Sequence, residues 1–145
     1  PQIRAVVTVT AAETRPSAVE AAGRVDAPSL LLIGAQDDWA ESDGARIAQS
    51  WGGPTQLRRV KGSGHLGLAE GSSFVNNILG ADSDKKVQHA TRILASAFFI
   101  RHLTDAPQLA DQMESKVSGT TLLDPNDPDL TPPVDAGDLV TAAML

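Results

Sequence analysis

The chain contains no cysteine, which excludes disulfides, thiolate chemistry and cysteine-ligated metals. It has no apolar run near the roughly 18 residues that a membrane span needs. Its opening, Pro1-Gln2-Ile3-Arg4, lacks the charged-then-apolar pattern of a targeting segment. It also lacks an initiator Met, as an internal start or a cleaved end would. Basic residues are scarce, 12 Lys and Arg against 18 Asp and Glu for a net charge of −6, so no basic face exists for nucleic acid to bind. The deficit is uneven: residues 1–104 hold eleven bases and ten acids, whereas residues 105–145 hold one Lys and eight acids. The acidic run Asp124-Pro125-Asn126-Asp127-Pro128-Asp129 lacks the glycine and the closing Glu of a calcium loop and reads as a solvated turn. No internal repeat occurs.

What is present is ordinary for one globular domain of 145 residues, with 41% hydrophobic and 21% charged residues. The β-branched and apolar stretch Ile3-Arg4-Ala5-Val6-Val7-Thr8-Val9-Thr10 predicts a buried strand. A polar loop with a short helix near residues 18–22 follows. The continuous apolar run Leu30-Leu31-Leu32-Ile33, closed by Gly34, predicts a strand covered on both faces, as in a parallel sheet. Ser42 or Asp43 is placed to cap a helix over residues 45–51, with Ala48 and Trp51 on one face and Gly52-Gly53 ending it. Thr55-Gln56-Leu57-Arg58-Arg59-Val60 predicts a more polar strand, nearer an edge. Strand, helix and strand together make one βαβ unit and imply a parallel sheet.

Residues 84–103 carry the strongest helical pattern. Val87, Ala90, Leu94, Ala97 and Phe98 form a stripe that Ile93, Ile100 and Leu103 widen. A shorter helix over 108–117 lines up Leu109, Met113 and Val117. Beyond Gly119 the proline-rich acidic segment reads as an extended tail. The chain thus divides into residues 1–106 and a helix-plus-tail segment, 107–145. Three strands with this much apolar helix surface suggest the C-terminal part of a larger, doubly wound sheet, the alternative being a small closed three-layer domain.

Open parallel sheets place functional groups at the carboxyl ends of their strands. Two strand ends here lead into chemically useful side chains: Gly34-Ala35-Gln36-Asp37-Asp38-Trp39 and, after Val60, Gly62-Ser63-Gly64-His65-Leu66-Gly67. In a parallel pair these segments leave the same edge. A carboxylate bonded to imidazole Nδ1 fixes the tautomer and leaves Nε2 free to deprotonate a nucleophile. His89 and His102, in the long helix, read as surface or packing residues, Trp51 as core, and Phe98 and Phe99 as packing. A phosphoacceptor receiver domain would need its acids after the first strand and a lysine after a late one, and fits poorly.

The segment Pro28 to Trp39 resembles the acid-bearing strand of α/β-hydrolases, above all the dienelactone-hydrolase-like and serine esterase–lipase branches. Gly62-Ser63-Gly64-His65 resembles the family's histidine loop. Ala97-Phe98-Phe99-Ile100-Arg101-His102-Leu103 is similar to its C-terminal helix, and residues 3–10 to the strand after the nucleophile elbow. The likeness spans about residues 3–106. It implies a catalytic pair of Asp37 (with Asp38 as the competitor) and His65. Trp39, beside the acid, is placed either to line the substrate mouth or to pack as a buried aromatic under that loop, and no cofactor or metal is expected. The family's chain order is nucleophile, acid, histidine, yet no Gly-x-Ser-x-Gly occurs in this chain, and Ser63 lies in the base's own loop. The resemblance therefore implies a C-terminal chain or fragment that cleaves carboxylic esters through an acyl-enzyme. Its partners would be the N-terminal segment or chain of the same hydrolase and a small ester-like substrate, with neither nucleic acid nor membrane involved. The nucleophile would be Ser; Cys would indicate a lactone hydrolase and Asp a dehalogenase-like displacement. The alternative is a non-catalytic α/β-hydrolase-like binding or scaffold module.

Overall fold

The computed structural model describes residues 2–35, 38–62 and 85–130, with the side chains of 38–42 outside that description. In chain order come strand β1 (Val6–Val9), helix α1 (Ala18–Ala22), β2 (Ser29–Gly34), α2 (Asp38–Ser50), β3 (Thr55–Val60), α3 (Lys85–Leu103), α4 (Pro107–Glu114), β4 (Thr120–Leu123) and a 3-10 turn (Pro128–Leu130). The described strands form one α/β sheet in the order β1-β2-β3-β4; the first three are parallel and β4 runs antiparallel to β3.

Strand β2 is the axis of the fold because its sequence has no polar face to show to water, and every residue in it is buried. Leu31 and Ile33 pack with Ala22 of α1, Ala45, Ile47 and Ala48 of α2, and Leu57 of β3. Leu30 and Leu32, on the other face, pack with Leu94 and Phe98 of α3. The alternation of side chains along the strand thus feeds two cores, one under α1 and α2, the other under α3. The buried hydroxyl of Ser29 is satisfied by Thr55 Oγ1 at 2.6 Å, between register partners on β2 and β3. Helix α2 lies very close to the sheet: a Cβ on Gly44 would stand 2.8 Å from Ile33 Cγ2, so glycine sets how far α2 can settle onto β2.

The five residues of the α3 stripe, Val87, Ala90, Leu94, Ala97 and Phe98, are the buried residues of that helix. Leu103 does not widen it, being 42% exposed. In α4 the buried residue is Ala110, whereas Leu109 is 48% exposed. A small side chain lets α4 lie close against α3, and an ion-pair network holds it there. Arg101 Nη2 donates to Asp111 Oδ1 at 2.9 Å and to Glu114 Oε1 at 3.1 Å, while Arg58 Nη2 reaches Glu114 Oε2 at 3.5 Å. The Asp111 and Glu114 carboxylates push the Arg101 guanidinium still further toward its charged form.

Three expectations need correcting. Helix α2 begins at Asp38, not after a cap at Ser42 or Asp43; the Asp43 carboxylate instead accepts the Glu13 backbone N–H at 2.8 Å. Strand β3 is interior, not an edge, because β4 pairs with it from Leu57↔Leu123 to Val60↔Thr120. Its polar look is explained by Arg58 bonding to α4 across one face. The segment after Gly119 is accordingly no simple tail: it supplies β4 and then Leu130, which is buried in the core with α2. The Asp124 and Asp127 carboxylates accept the backbone N–H groups of Asn126 and Asp129, at 2.9 and 3.0 Å, so the acidic run folds as local turns. Residues 131–145 lie outside the described residues. Among the described residues no helix is long and apolar enough to cross a membrane.

Candidate functional site

Three parallel strands end on one edge of the sheet, and the chain leaves it at Thr10, Ala35 and Lys61. These exits are coupled through backbone hydrogen bonds. The Thr10 N–H donates to Leu32 O at 2.8 Å, the Ala35 N–H to Val60 O at 3.0 Å, and the Lys61 N–H to Gly119 O at 2.8 Å. Gly34 and Val60 are register partners, so the segments leading to residues 37 and 65 depart from directly neighbouring strands, about 5 Å apart.

Each exit turns for an identifiable reason. After β3, Gly62 takes φ +75° with open space where a Cβ would sit, so backbone conformation rather than crowding calls for glycine there. After β2 the chain passes almost at once into α2, which takes up Asp38 as its first residue. After β1, Thr10 adopts φ +50°, a left-handed conformation that is an outlier for a β-branched residue. Residues 11–17 are then tied down on both sides. The Glu13 N–H bonds to Asp43 of α2, and Glu13 Oε2 accepts the Val19 N–H at 3.0 Å. Ser17 Oγ caps α1 by accepting the Glu20 N–H at 3.2 Å. A hydrogen bond from Ser17, helped by backbone donors of α1 and by Arg46, holds the Glu13 carboxyl below the ordinary range for glutamate.

The sequence-predicted pair is placed only as far as its strand ends. Asp37 and His65 lie outside the described residues, as do Ser63 and the side chains of Asp38 and Trp39; Trp39 is in the first turn of α2. The other candidates are settled. His89 is exposed. His102 packs against Phe98 with the rings tilted by 54° and their centroids 4.4 Å apart, and burial, then the charge of Arg101, holds its pKa below the ordinary histidine value. The Trp51 indole N–H donates to Ala27 O at 2.8 Å, on the amino side of the sheet. Phe98 is core, and Phe99 packs edge-on against it at 6.3 Å while staying 38% exposed.

Among the described residues no cluster of three or more His, Asp or Glu side chains could hold a metal. A surface depression of about 570 Å³, lined by Gln2, Ile3, Arg4, Arg24, Asp26 and Pro28, opens at the amino edge. That is the wrong end of the strands for the chemistry above, and most of those side chains are exposed. Sequence pattern missed Thr10: a threonine ending a β-branched run carries no mark of a left-handed backbone. No family model matches this chain, and no curated protein matches it.

Proposed function

We propose that this chain supplies the acid and the base of an α/β-hydrolase that cleaves carboxylic esters or related acyl compounds through an acyl-enzyme. Asp37 orients His65, whose Nε2 takes the proton of the nucleophile during acylation and returns it to the leaving group. The observation that carries this reading is the pairing of the two chain exits, with the Ala35 N–H bonded to Val60 O at 3.0 Å. It supports the reading because the segments that lead to these two residues, 28 positions apart, leave neighbouring strands at one edge. Asp37, one residue before α2 begins, is favoured over Asp38, which the helix takes into its first turn.

The helix arrangement also supports the reading. Helices α1 and α2 cover one face of the sheet and α3 the other, the double cover a wound hydrolase sheet requires. Among the described residues β1 has a neighbour on one side only. Its stretch Val6-Val7-Thr8-Val9 has the composition of an interior strand, with no lysine or proline to blunt an edge. The strand that ends in the nucleophile elbow pairs there, setting its serine beside Thr10. The nucleophile and the oxyanion-hole amides come from that segment, since no Gly-x-Ser-x-Gly occurs within these 145 residues.

Fluorophosphonate labelling with intact-mass analysis of the purified protein tests the assignment. The expected label sits on a serine of a companion segment, and His65→Gln prevents its attachment. A label on this chain itself would overturn the reading. No label and no ester turnover, with the companion segment present, would leave the binding-module alternative.

A further inference from the structure

The depression at the amino edge, about 570 Å³ in volume, has two walls. One is the chain of residues 2–4 that leads into β1, and the other is residues 24–28, the turn from α1 into β2. Backbone contacts hold both in place. The Val6 N–H donates to Pro28 O at 3.0 Å and ties the first wall to the second. Within the second, the Arg24 and Val25 N–H groups donate to Ala21 O and Ala22 O, each at 3.1 Å. The Trp51 indole N–H donates to Ala27 O at 2.8 Å, and a Cβ on Gly53 would overlap the Asp26 carbonyl. This wall therefore rests on the turn that follows α2, and the concavity is part of the rigid fold.

Each wall contributes one exposed arginine. Ala5 and Val7 pack into the core under α3. Alternation along the chain turns Arg4 to the opposite face, where α1 and the turn bearing Arg24 lie. Among the described residues neither guanidinium is ion-paired, although Asp26 lines the same depression. Arg58 and Arg101, by contrast, are bonded to acids of α4. Two cations against one acid give this depression a formal positive charge in a chain whose net charge is −6. Ile3, 60% exposed, and the half-buried Val25 and Pro28 add an apolar lining.

We infer that this depression binds a small organic oxyanion, a carboxylate or phosphate group carried on an apolar body. A guanidinium presents parallel N–H donors that match either group. Arg4 and Arg24 hold the oxyanion from opposite walls, while Ile3, Val25 and Pro28 cover the body. The volume lies within the range of small-molecule sites. Asp26 opposes the anion and weakens its binding. The site goes beyond the hydrolase reading and does not depend on it, because the six residues of β2 separate it by about 20 Å from the chain exits at the carboxyl edge.

The test titrates phenyl phosphate, benzoate and uncharged benzyl alcohol into the protein, with calorimetry for affinity and backbone amide signals for position. At least one oxyanion should bind and move the amide signals of residues 2–4 and 24–27, whereas benzyl alcohol should not. Which of the two binds more tightly distinguishes a phosphate ligand from a carboxylate one. Arg4→Gln and Arg24→Gln should each weaken that binding roughly tenfold, the scale of one charge-assisted hydrogen bond, and Asp26→Asn should strengthen it. Four results would each overturn the inference: neither oxyanion binding at millimolar concentration, benzyl alcohol binding equally well, signals moving only at other residues, or an affinity unchanged by either arginine substitution. Ester turnover tests the hydrolase reading separately.

Discussion

At the amino edge of the sheet, backbone is packed directly on backbone. A Cβ on Gly53 would overlap the Asp26 carbonyl, and one on Gly52 would stand 2.8 Å from Gly23 O. The Gly52 N–H bonds to Ala22 O at 3.1 Å, the Trp51 indole to Ala27 O at 2.8 Å, and Ser29 to Thr55. The carboxyl edge is built the other way. Its exits carry a strained threonine, a positive-φ glycine and loops held by single side chains such as Glu13 and Asp43. One edge is built on close backbone contact; the other, among the described residues, has left-handed turns and few such contacts. In the proposed reading, stability and catalysis are therefore separable by position along the same strands.

Substitution can break that separation where it is sharpest. In the proposed reading, Asp37→Asn should lower kcat of the assembled enzyme by about 10⁴-fold, the scale seen when a triad loses its orienting carboxylate, and His65→Gln by at least as much, with no change in the thermal midpoint. A fall in stability matching the fall in rate would show that these residues serve the fold instead. Gly53→Ala should do the reverse. Its new methyl meets rigid backbone, at a cost of about 3 kcal/mol, visible as a lower denaturant midpoint, while the protein that remains folded keeps its kcat.

The smallest expected effect lies at His102 on α3. Burial holds its folded-state pKa below the ordinary value, so the unfolded chain binds the proton more readily. Its contribution to stability is present above the unfolded pKa of about 6.5 and is lost as pH falls through the folded value. Urea titrations of the native protein between pH 7 and pH 5 should show a decline that His102→Phe lessens. An unchanged decline would place the acid sensitivity elsewhere.

How much of this could be read beforehand depended on whether a residue's partner was local. Strand β2 and the α3 stripe were legible because Leu30 to Ile33 have no polar face and Val87 to Phe98 repeat at helical spacing. Strand β4 was not: Thr120-Thr121-Leu122-Leu123 is too short to show a period, and only the free edge of β3 makes it a strand. The start of α2 was misplaced because Asp43, an apt cap by type, spends its carboxylate on Glu13, thirty residues away. The common edge of the β2 and β3 exits followed from the βαβ pattern, whereas the turn at Thr10 did not, since a dihedral angle held by tertiary contacts leaves no trace in composition.

The reversed direction of β4 also decides where the architecture can grow. Right-handed crossover units extend a sheet by laying down strands of one sense, and a four-residue strand of opposite sense, followed by Asp124-Pro125, is a poor template for another. Among the described residues, β4 ends the sheet on that flank. Additional layers of the same kind have a single way to join, and any relative with a wider sheet should carry its extra strands beyond the valines of β1.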